Sequence, residues 1–143
     1  MIAAFSIVAR NNAPLFFKTF NQDLDDTNLH CIVHMSLDVF ENHILANYSS
    51  DKAADKPHAD KYLGLLFLTE SYRIYGYLTV SLVKMVLVLS DLSNAKSHDI
   101  KRLFGGAHAL YVDAICNPFY EMGSRITSRQ FARKIGSLVL AST

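Results

Sequence analysis

The sequence predicts an α+β fold in which a five-stranded antiparallel sheet carries helices on both faces. Five short runs of β-branched, aromatic and leucine residues have the composition of strands. Three longer segments repeat apolar residues at helical spacing. Neighbouring strands are separated by only a few residues, which favours antiparallel pairing. The predicted order is therefore strand, strand, helix, three strands, helix, helix.

The first two predicted strands form a hairpin. Residues 2–9 are rich in Ile, Val, Phe and Ala, so we expect both faces of this strand to be covered. Residues 10–14 contain two asparagines and a proline, which suit a tight turn. Leu15–Phe20 then returns as the second strand.

The first helix is predicted from Leu29 to about Leu45, after candidate caps at residues 25–28. Its apolar face contains Leu29, Ile32, Val33, Leu37, Phe40 and Ile44. The opposing polar stripe contains His30, His34, Asp38 and Glu41. This division is typical of a helix that packs on a sheet. The polar residues 48–61, which include a proline, predict an exposed connection.

Three strands and two helices complete the predicted fold. The strands are Tyr62–Leu68, Tyr72–Val80 and Lys84–Leu89, and their short separators favour an antiparallel meander. The helices run from about Ala95 to Cys116 and from about Ser128 to Leu140.

The segment CNPFYE, residues 116–121, joins the last two helices. Pro118 has no backbone N–H and disfavours helical geometry in the residue before it, so the helix should end here. We expect the rings of Phe119 and Tyr120 to pin the following segment to the core. Within the preceding helix, Gly105-Gly106 cost about 0.8–1.0 kcal/mol each relative to alanine, and we expect them to let a neighbouring backbone approach.

The composition is typical of a single domain over residues 1–143, because half the residues are apolar and the chain is short for two cores. Charged residues make up 19%, a low fraction that favours an assembly covering part of the surface. The net charge of +1 gives no dominant attraction to nucleic acid or anionic lipid. Residues 1–71 hold five basic and nine acidic residues, and residues 72–143 hold nine and four. The two halves either present opposite faces or intermix and cancel.

The cysteines and the apolar segments indicate the cellular compartment of the protein. Cys31 and Cys116 lie in apolar helical context, which predicts small buried side chains and a reducing cytosol rather than a disulfide framework. The first ten residues lack the early positive charge and the cleavage pattern of a signal peptide. The longest apolar stretch, Val80–Leu89, is far shorter than a transmembrane span. We expect a cytosolic protein that is at most peripheral to a membrane.

One candidate metal site consists of His30, His34 and Asp38 at intervals of four residues. Imidazole with carboxylate suits zinc. The pattern lacks the glutamate that follows the first histidine in zinc hydrolase helices, since Cys31 stands there. We therefore favour a polar stripe that faces solvent or a partner. The sequence contains no nucleophile elbow and no phosphate loop, so we expect neither an enzyme nor a bound cofactor.

The C-terminal helix is basic and amphipathic, with Arg129, Arg133 and Lys134 opposite Phe131, Ile135 and Leu138. Such a helix can lie on an anionic membrane surface. It can also dock its apolar face on the sheet, which is the favoured interpretation. Aromatic residues near the strands lack interleaved basic residues, so we expect no nucleic-acid binding.

Four blocks of the sequence resemble a known family. They are HMSLDVFENHI (34–44), YLGLLFLTESYRIYGYLT (62–79), KMVLVL (84–89) and CNPFYEMGSRITSRQF (116–131). In this order they resemble the sedlin family of TRAPP subunits over nearly the whole chain. The resemblance implies a longin-like (SNARE-like) fold with the element order predicted above.

The resemblance also implies a non-catalytic adaptor or assembly subunit of the TRAPP vesicle-tethering complex, in endoplasmic reticulum-to-Golgi and Golgi traffic. Such a subunit binds other TRAPP subunits, has an indirect link to a Rab-type GTPase whose nucleotide exchange the complex promotes, and reaches membranes through the complex. Asp38 in the SLD triplet matches the family's helix aspartate associated with partner binding. His30, His34 and Glu41 share its polar stripe and are further partner-binding candidates.

Two alternatives concern the assembly and the ligand. The isolated chain is a candidate homodimer. The chain is also a candidate stand-alone longin-type module, which would bind a SNARE, another peptide or a small apolar ligand in a groove between helix and sheet.

Overall fold

The computed structural model describes residues 2–20, 25–49, 62–79, 82–90, 96–121 and 123–142. The strands are β1 (Ile2–Val8), β2 (Pro14–Thr19), β3 (Tyr62–Leu68), β4 (Arg73–Leu78) and β5 (Lys84–Leu89). The helices are α1 (Asp26–Ser49), α2 (Ser97–Ile115) and α3 (Arg129–Ser142). The predicted element order is confirmed, and the bounds of β3 and β5 are those expected from the sequence.

The five strands form one antiparallel sheet in the order β2-β1-β5-β4-β3. β1 lies beside β5, with Phe5 opposite Leu87 and Ile7 opposite Met85. All residues of these two strands are buried, which confirms that β1 is covered on both faces. The strands β3, β4 and β5 form the predicted meander.

A hydrophobic core lies on each face of the sheet. On one face, α2 and α3 supply the buried residues Leu103, Phe104, Tyr111, Phe131, Ile135 and Val139. On the other face, α1 supplies Leu29, Val33, Leu37 and Phe40. Helices on both faces are therefore confirmed, and so is the docking of the C-terminal helix through its apolar side.

Helix α1 is longer than its periodicity predicts. The side chain of Asp25 accepts a hydrogen bond from the Thr27 N–H at 3.0 Å, which confirms a cap among residues 25–28. At the other end the helix continues beyond the predicted Leu45 to Ser49. The remaining residues of the predicted connection lie outside the described part of the chain.

Gly76 of β4 allows close packing between α1 and the sheet. A Cβ atom on Gly76 would lie 2.6 Å from the Leu66 Cδ1 and 2.8 Å from the Phe40 Cζ. Real carbon contacts are longer than this, so any larger residue would push α1 or β3 away. Gly76 thus brings a fully buried ring of α1 into contact with the strand.

The glycine pair in α2 does not bring two backbones together as expected. A Cβ atom on Gly106 would lie 3.0 Å from the Leu138 Cδ1, so the close neighbour is a side chain of α3. A Cβ atom on Gly105 would meet no atom within 4 Å. The prediction of a backbone approach was wrong because the two helices meet through the long side chain of Leu138.

In the joint after α2, the predicted helix end is confirmed, and the predicted role of Phe119 is wrong. The helix ends at Ile115, and the side chain of Asn117 accepts a hydrogen bond from the Phe119 N–H at 3.1 Å. Tyr120 packs against the core as predicted. Phe119 is instead 92% exposed, so its ring does not pin the following segment to the core.

Two further findings concern cysteines and membrane spans. Cys31 and Cys116 are free thiols and both are exposed, so the prediction of buried side chains was wrong. Cys31 lies on the outer side of α1, and Cys116 caps the end of α2.

Among the described residues, no helix is both long enough and apolar enough to cross a membrane.

Candidate functional site

The outer side of α1 presents the predicted polar stripe. Val33, Leu37 and Phe40 turn toward the sheet and are buried. His30, His34, Asp38 and Glu41 are all exposed, as expected from the helical spacing. Asp38 lies near the middle of this helix, and no described residue donates a hydrogen bond to its carboxylate.

Exposed apolar side chains flank Asp38 on the same side of the helix. Met35 is 60% exposed and Leu45 is 63% exposed. Together with Cys31, Asp38 and Asn42 they are spaced alternately by four and three residues. This spacing places five side chains in one nearly straight line of roughly 20 Å, the pattern by which one helix packs against another. We call these five residues the α1 stripe.

Met35 and Leu45 are functional candidates that the sequence interpretation missed. Both fall at polar positions of the helix, where single exposed apolar residues are common and do not indicate a binding site. The signal that could have revealed them is the alternating spacing centred on Asp38. The stripe therefore combines two apolar contacts with a carboxylate between them.

Two of the predicted partner-binding residues, His30 and Glu41, contact the β1–β2 hairpin. The ring of His30 stacks on Phe17, with centroids 3.8 Å apart and planes inclined by 23°. The Glu41 carboxylate accepts a hydrogen bond from the Asn12 side chain at 3.1 Å. These contacts anchor α1 to the hairpin.

A groove of about 550 Å³ runs between α1 and the hairpin. Its lining is mainly apolar and includes Val8, Phe17, Val33 and Leu37. Cys31 and Met35 of the α1 stripe also line it. It lies between helix and sheet, where the alternative hypothesis expects a ligand or peptide. The described residues contain no cluster of three or more His, Cys, Asp or Glu side chains suited to a metal ion. The candidate zinc site at His30, His34 and Asp38 therefore finds no support.

Beneath this side of α1, Lys84 at the start of β5 is buried although it is a lysine, with 2% of its surface exposed. Its ammonium donates a hydrogen bond to the Asn12 side chain, which in turn donates to Glu41. Burial lowers the pKa of Lys84 from its ordinary value, and the Glu41 carboxylate opposes this by raising it. The relay from Lys84 through Asn12 to Glu41 joins the sheet, the hairpin and α1.

Replacing Lys84 with methionine should stabilise the chain at neutral pH by about 1 kcal/mol. The reason is that the desolvation cost of the buried ammonium exceeds the stabilisation that its hydrogen bonds provide. Since the pKa of Lys84 is lower in the folded chain, the wild type gains stability as pH rises toward the ordinary lysine value of 10.5. The advantage of Lys84→Met should therefore shrink toward about pH 10. Urea unfolding of both proteins at neutral pH and near pH 10 measures this difference.

The difference in free energy of unfolding between the two proteins removes the contribution of other titrating groups to the pH dependence. Burial raises the pKa values of Tyr77 and Tyr111, so both stabilise the fold less as pH rises above 10.0. They are present in both proteins and cancel. If the difference in free energy of unfolding between Lys84→Met and the wild type stays constant over the whole pH range, the lowered pKa of Lys84 does not affect stability and the prediction is wrong.

Comparison with known proteins identifies the family. The Sedlin family model matches residues 7–140. The chain is 38% identical over 141 residues to the trafficking protein particle complex subunit 2-like protein of Dictyostelium discoideum, across 96% of both chains. It is 36% identical over 141 residues to the protein of the same name from Bos taurus, across 98% of both chains. These relatives confirm the resemblance to the subunit 2-like branch that YLGLL and YGYLT indicate. The chain therefore belongs to the Sedlin family, and its fold is longin-like.

Proposed function

We propose that this chain is a non-catalytic adaptor subunit of the TRAPP vesicle-tethering complex and that the α1 stripe contacts a neighbouring subunit. The observation that carries the proposal is the exposed line of side chains centred on Asp38. Family membership supports it, because the relatives are named trafficking protein particle complex subunit 2-like protein.

The chemistry of the stripe defines the surface that fits it. Met35 and Leu45 supply apolar area, which contributes about 25 cal/mol for each Å² removed from water. Asp38 between them needs a cation or a hydrogen-bond donor once it is buried, since an unpaired buried charge is strongly unfavourable. The neighbouring subunit should therefore offer Lys, Arg or backbone N–H groups between two apolar recesses.

The wider role follows from the complex. We propose that the chain acts as a single domain that holds other subunits in place, in endoplasmic reticulum-to-Golgi and Golgi traffic. Nucleotide exchange on the Rab-type GTPase would be carried out by other subunits. The chain would reside in the cytoplasm and meet membranes through the assembled complex. The low charged fraction of 19% suits a protein whose surface is partly covered by neighbours.

The edge strand β3 is a second proposed contact. It lies at one end of the sheet, contains no charged residue, and exposes Leu65 by 51% and Leu68 by 59%. Proteins usually protect exposed edge strands with charges, because the unpaired backbone groups otherwise pair with another strand. We propose that β3 pairs with a neighbouring subunit in the complex and with a second copy when the chain is isolated as a homodimer.

The groove between α1 and the hairpin favours a second candidate function. A stand-alone longin-type module would bind a SNARE or another peptide there, with the apolar lining supplying the contact. Under this alternative, peptides would shift the NMR signals of Phe17 and Val33, which line the groove. The adaptor function requires no such peptide and depends on Asp38 and Leu45, which do not line the groove.

Replacing Asp38 with lysine should weaken association with the other TRAPP subunits by about 10-fold or more, because two cations would meet at the contact. The thermal midpoint of the isolated chain should stay close to that of the wild type, since Asp38 is exposed and forms no described side-chain hydrogen bond. Co-expression with the other subunits followed by quantified co-purification measures the loss, and light scattering of the isolated chain reports the homodimer.

His43→Lys is the matched control, because it adds the same side chain to an exposed position of α1 outside the stripe. This control should co-purify like the wild type. Equal co-purification of folded Asp38→Lys would contradict the role of the stripe. Equal losses from both variants would assign the effect to added charge on α1 rather than to Asp38.

A further inference from the structure

The joint between α2 and α3 presents an aromatic ring to solvent on the opposite side of the sheet from α1. Phe119 is 92% exposed, the largest exposed fraction among the large apolar side chains described. Its neighbours in the joint pack against the core formed with α2 and α3, whereas α1 packs on the other core. The ring is therefore well separated from the α1 stripe.

Local hydrogen bonds hold the backbone that carries this ring. The Phe119 N–H donates to the Asn117 side chain at 3.1 Å, and the Tyr120 N–H donates to the Asn117 carbonyl at 3.0 Å. The Tyr120 hydroxyl donates to the Ser124 carbonyl at 2.7 Å. The preceding Pro118 restricts the backbone further. Because these bonds fix the turn on both sides of Phe119, binding through the ring costs little additional ordering of the chain.

A cleft of about 250 Å³ lies directly beside the ring, between the end of α2 and the start of α3. Phe119 forms one wall, and Leu110, Ile126 and Phe131 contribute to the others. A projecting ring next to a concave cleft resembles the centre of a protein–protein contact, where an aromatic anchor enters a pocket and receives a side chain in return.

The charge around the joint is basic. From residue 122 onward the chain carries four cations and no acidic residue. These cations are Arg125, Arg129, Arg133 and Lys134, and all four are exposed. The nearby exposed acidic residues are Glu121 at the end of the joint and Asp113 of α2, which lines the cleft together with Lys134. A complementary surface would therefore be acidic, because opposite potentials favour association.

We propose that Phe119, the cleft beside it and the cations of α3 form a docking surface for an acidic segment of another protein. That segment would receive the Phe119 ring in an apolar recess, place one apolar side chain in the cleft, and pair its carboxylates with Arg129 and Lys134. A membrane surface fits less well, because α3 directs Phe131, Ile135 and Val139 into the core and not toward solvent. This proposal does not depend on which complex contains the chain.

The first experiment replaces Phe119 with the photo-crosslinking analogue p-benzoylphenylalanine in the full chain and identifies crosslinked peptides from cells by mass spectrometry. The expected result is one recurrent peptide that contains Asp or Glu beside apolar residues. A crosslink to lipid or to a second copy of this chain would overturn the proposal. The absence of any recurrent crosslinked peptide would also overturn it.

The second experiment measures binding of a synthetic peptide with the crosslinked sequence. Phe119→Ala should weaken binding by about 30-fold, as removal of a central aromatic anchor does. Arg129→Glu and higher salt should also weaken it. Leu140→Ala, which trims an exposed apolar residue of α3 that does not line the cleft, is the matched control and should bind like the wild type. Unchanged binding of folded Phe119→Ala would overturn the proposal.

Sedimentation with phosphatidylcholine vesicles, with and without phosphatidylserine, tests the membrane directly. The expected result is no dependence of sedimentation on Phe119. Binding to anionic vesicles that Phe119→Ala abolishes would replace the acidic protein segment with a lipid surface and overturn the proposal.

Discussion

Replacing Phe40 with alanine should lower the free energy of unfolding by about 3–5 kcal/mol, a large part of the stability of a small domain. Phe40 is fully buried, and its ring reaches the backbone of β4 at Gly76. The core on this face depends on α1, which is the helix that supplies its buried residues. Loss of the ring leaves a cavity that the rigid sheet cannot close.

Urea unfolding followed by circular dichroism measures this loss. Met35→Ala is the matched control, because Met35 lies on the same helix with 60% of its surface exposed, and its removal should change stability by less than about 0.5 kcal/mol. A cost for Phe40→Ala as small as that of the control would show that α1 is not held to the sheet by this ring.

The Phe40 variant also separates structural from functional losses. Phe40→Ala should weaken assembly and lower the thermal midpoint together, since it loosens the helix that carries the α1 stripe. Asp38→Lys should weaken assembly alone. A partner-binding role of Asp38 rests on this contrast and not on reduced assembly by itself.

Replacing Phe131 with alanine should also cost about 3–5 kcal/mol, this time on the opposite face of the sheet. Phe131 has 4% of its surface exposed and meets Phe16 of β2 edge to face, with centroids 5.0 Å apart and planes at 87°. Such pairs contribute about 0.5–1.5 kcal/mol beyond the area they bury. The Lys18 ammonium donates to the Ala132 carbonyl at 3.2 Å, so polar contact with α3 persists in the variant.

Thermal and urea unfolding of Phe131→Ala and Phe131→Leu check this expectation. Leucine keeps much of the apolar volume and should cost less than about 1.5 kcal/mol. Similar losses for the two variants would indicate that the edge-to-face geometry dominates over cavity formation. A negligible loss for both would contradict the assignment of Phe131 to the core that anchors α3.

Much of the fold could be predicted because periodicity reports which side of an element faces the core. Alternating and continuous apolar runs predicted β3 and β5 with the observed bounds. The helical spacing of Leu29, Val33, Leu37 and Phe40 predicted the buried side of α1. The same spacing predicted that Asp38 is exposed, so half of the candidate site followed from a pattern along the chain.

The other half depends on neighbours that are distant in the sequence. His30 stacks on Phe17, and Glu41 bonds to Asn12, although nothing in the spacing of α1 indicates a hairpin beside it. The buried Lys84 ammonium donates a hydrogen bond to the side chain of Asn12, in the hairpin next to β5. These contacts identify His30 and Glu41 as residues that anchor α1 to the hairpin.

The sequence by itself determined the element order, the apolar faces of α1 and α3, and the end of α2 before Pro118, because each depends on local dihedral preferences and on periodicity. Only the tertiary structure decided that Phe119 faces solvent while Tyr120 packs inward. The physical reason is that adjacent residues of a turn point in different directions, and the orientation of the turn is set by the packing of two helices on a distant sheet. Hydrophobicity alone does not distinguish a core ring from an exposed one.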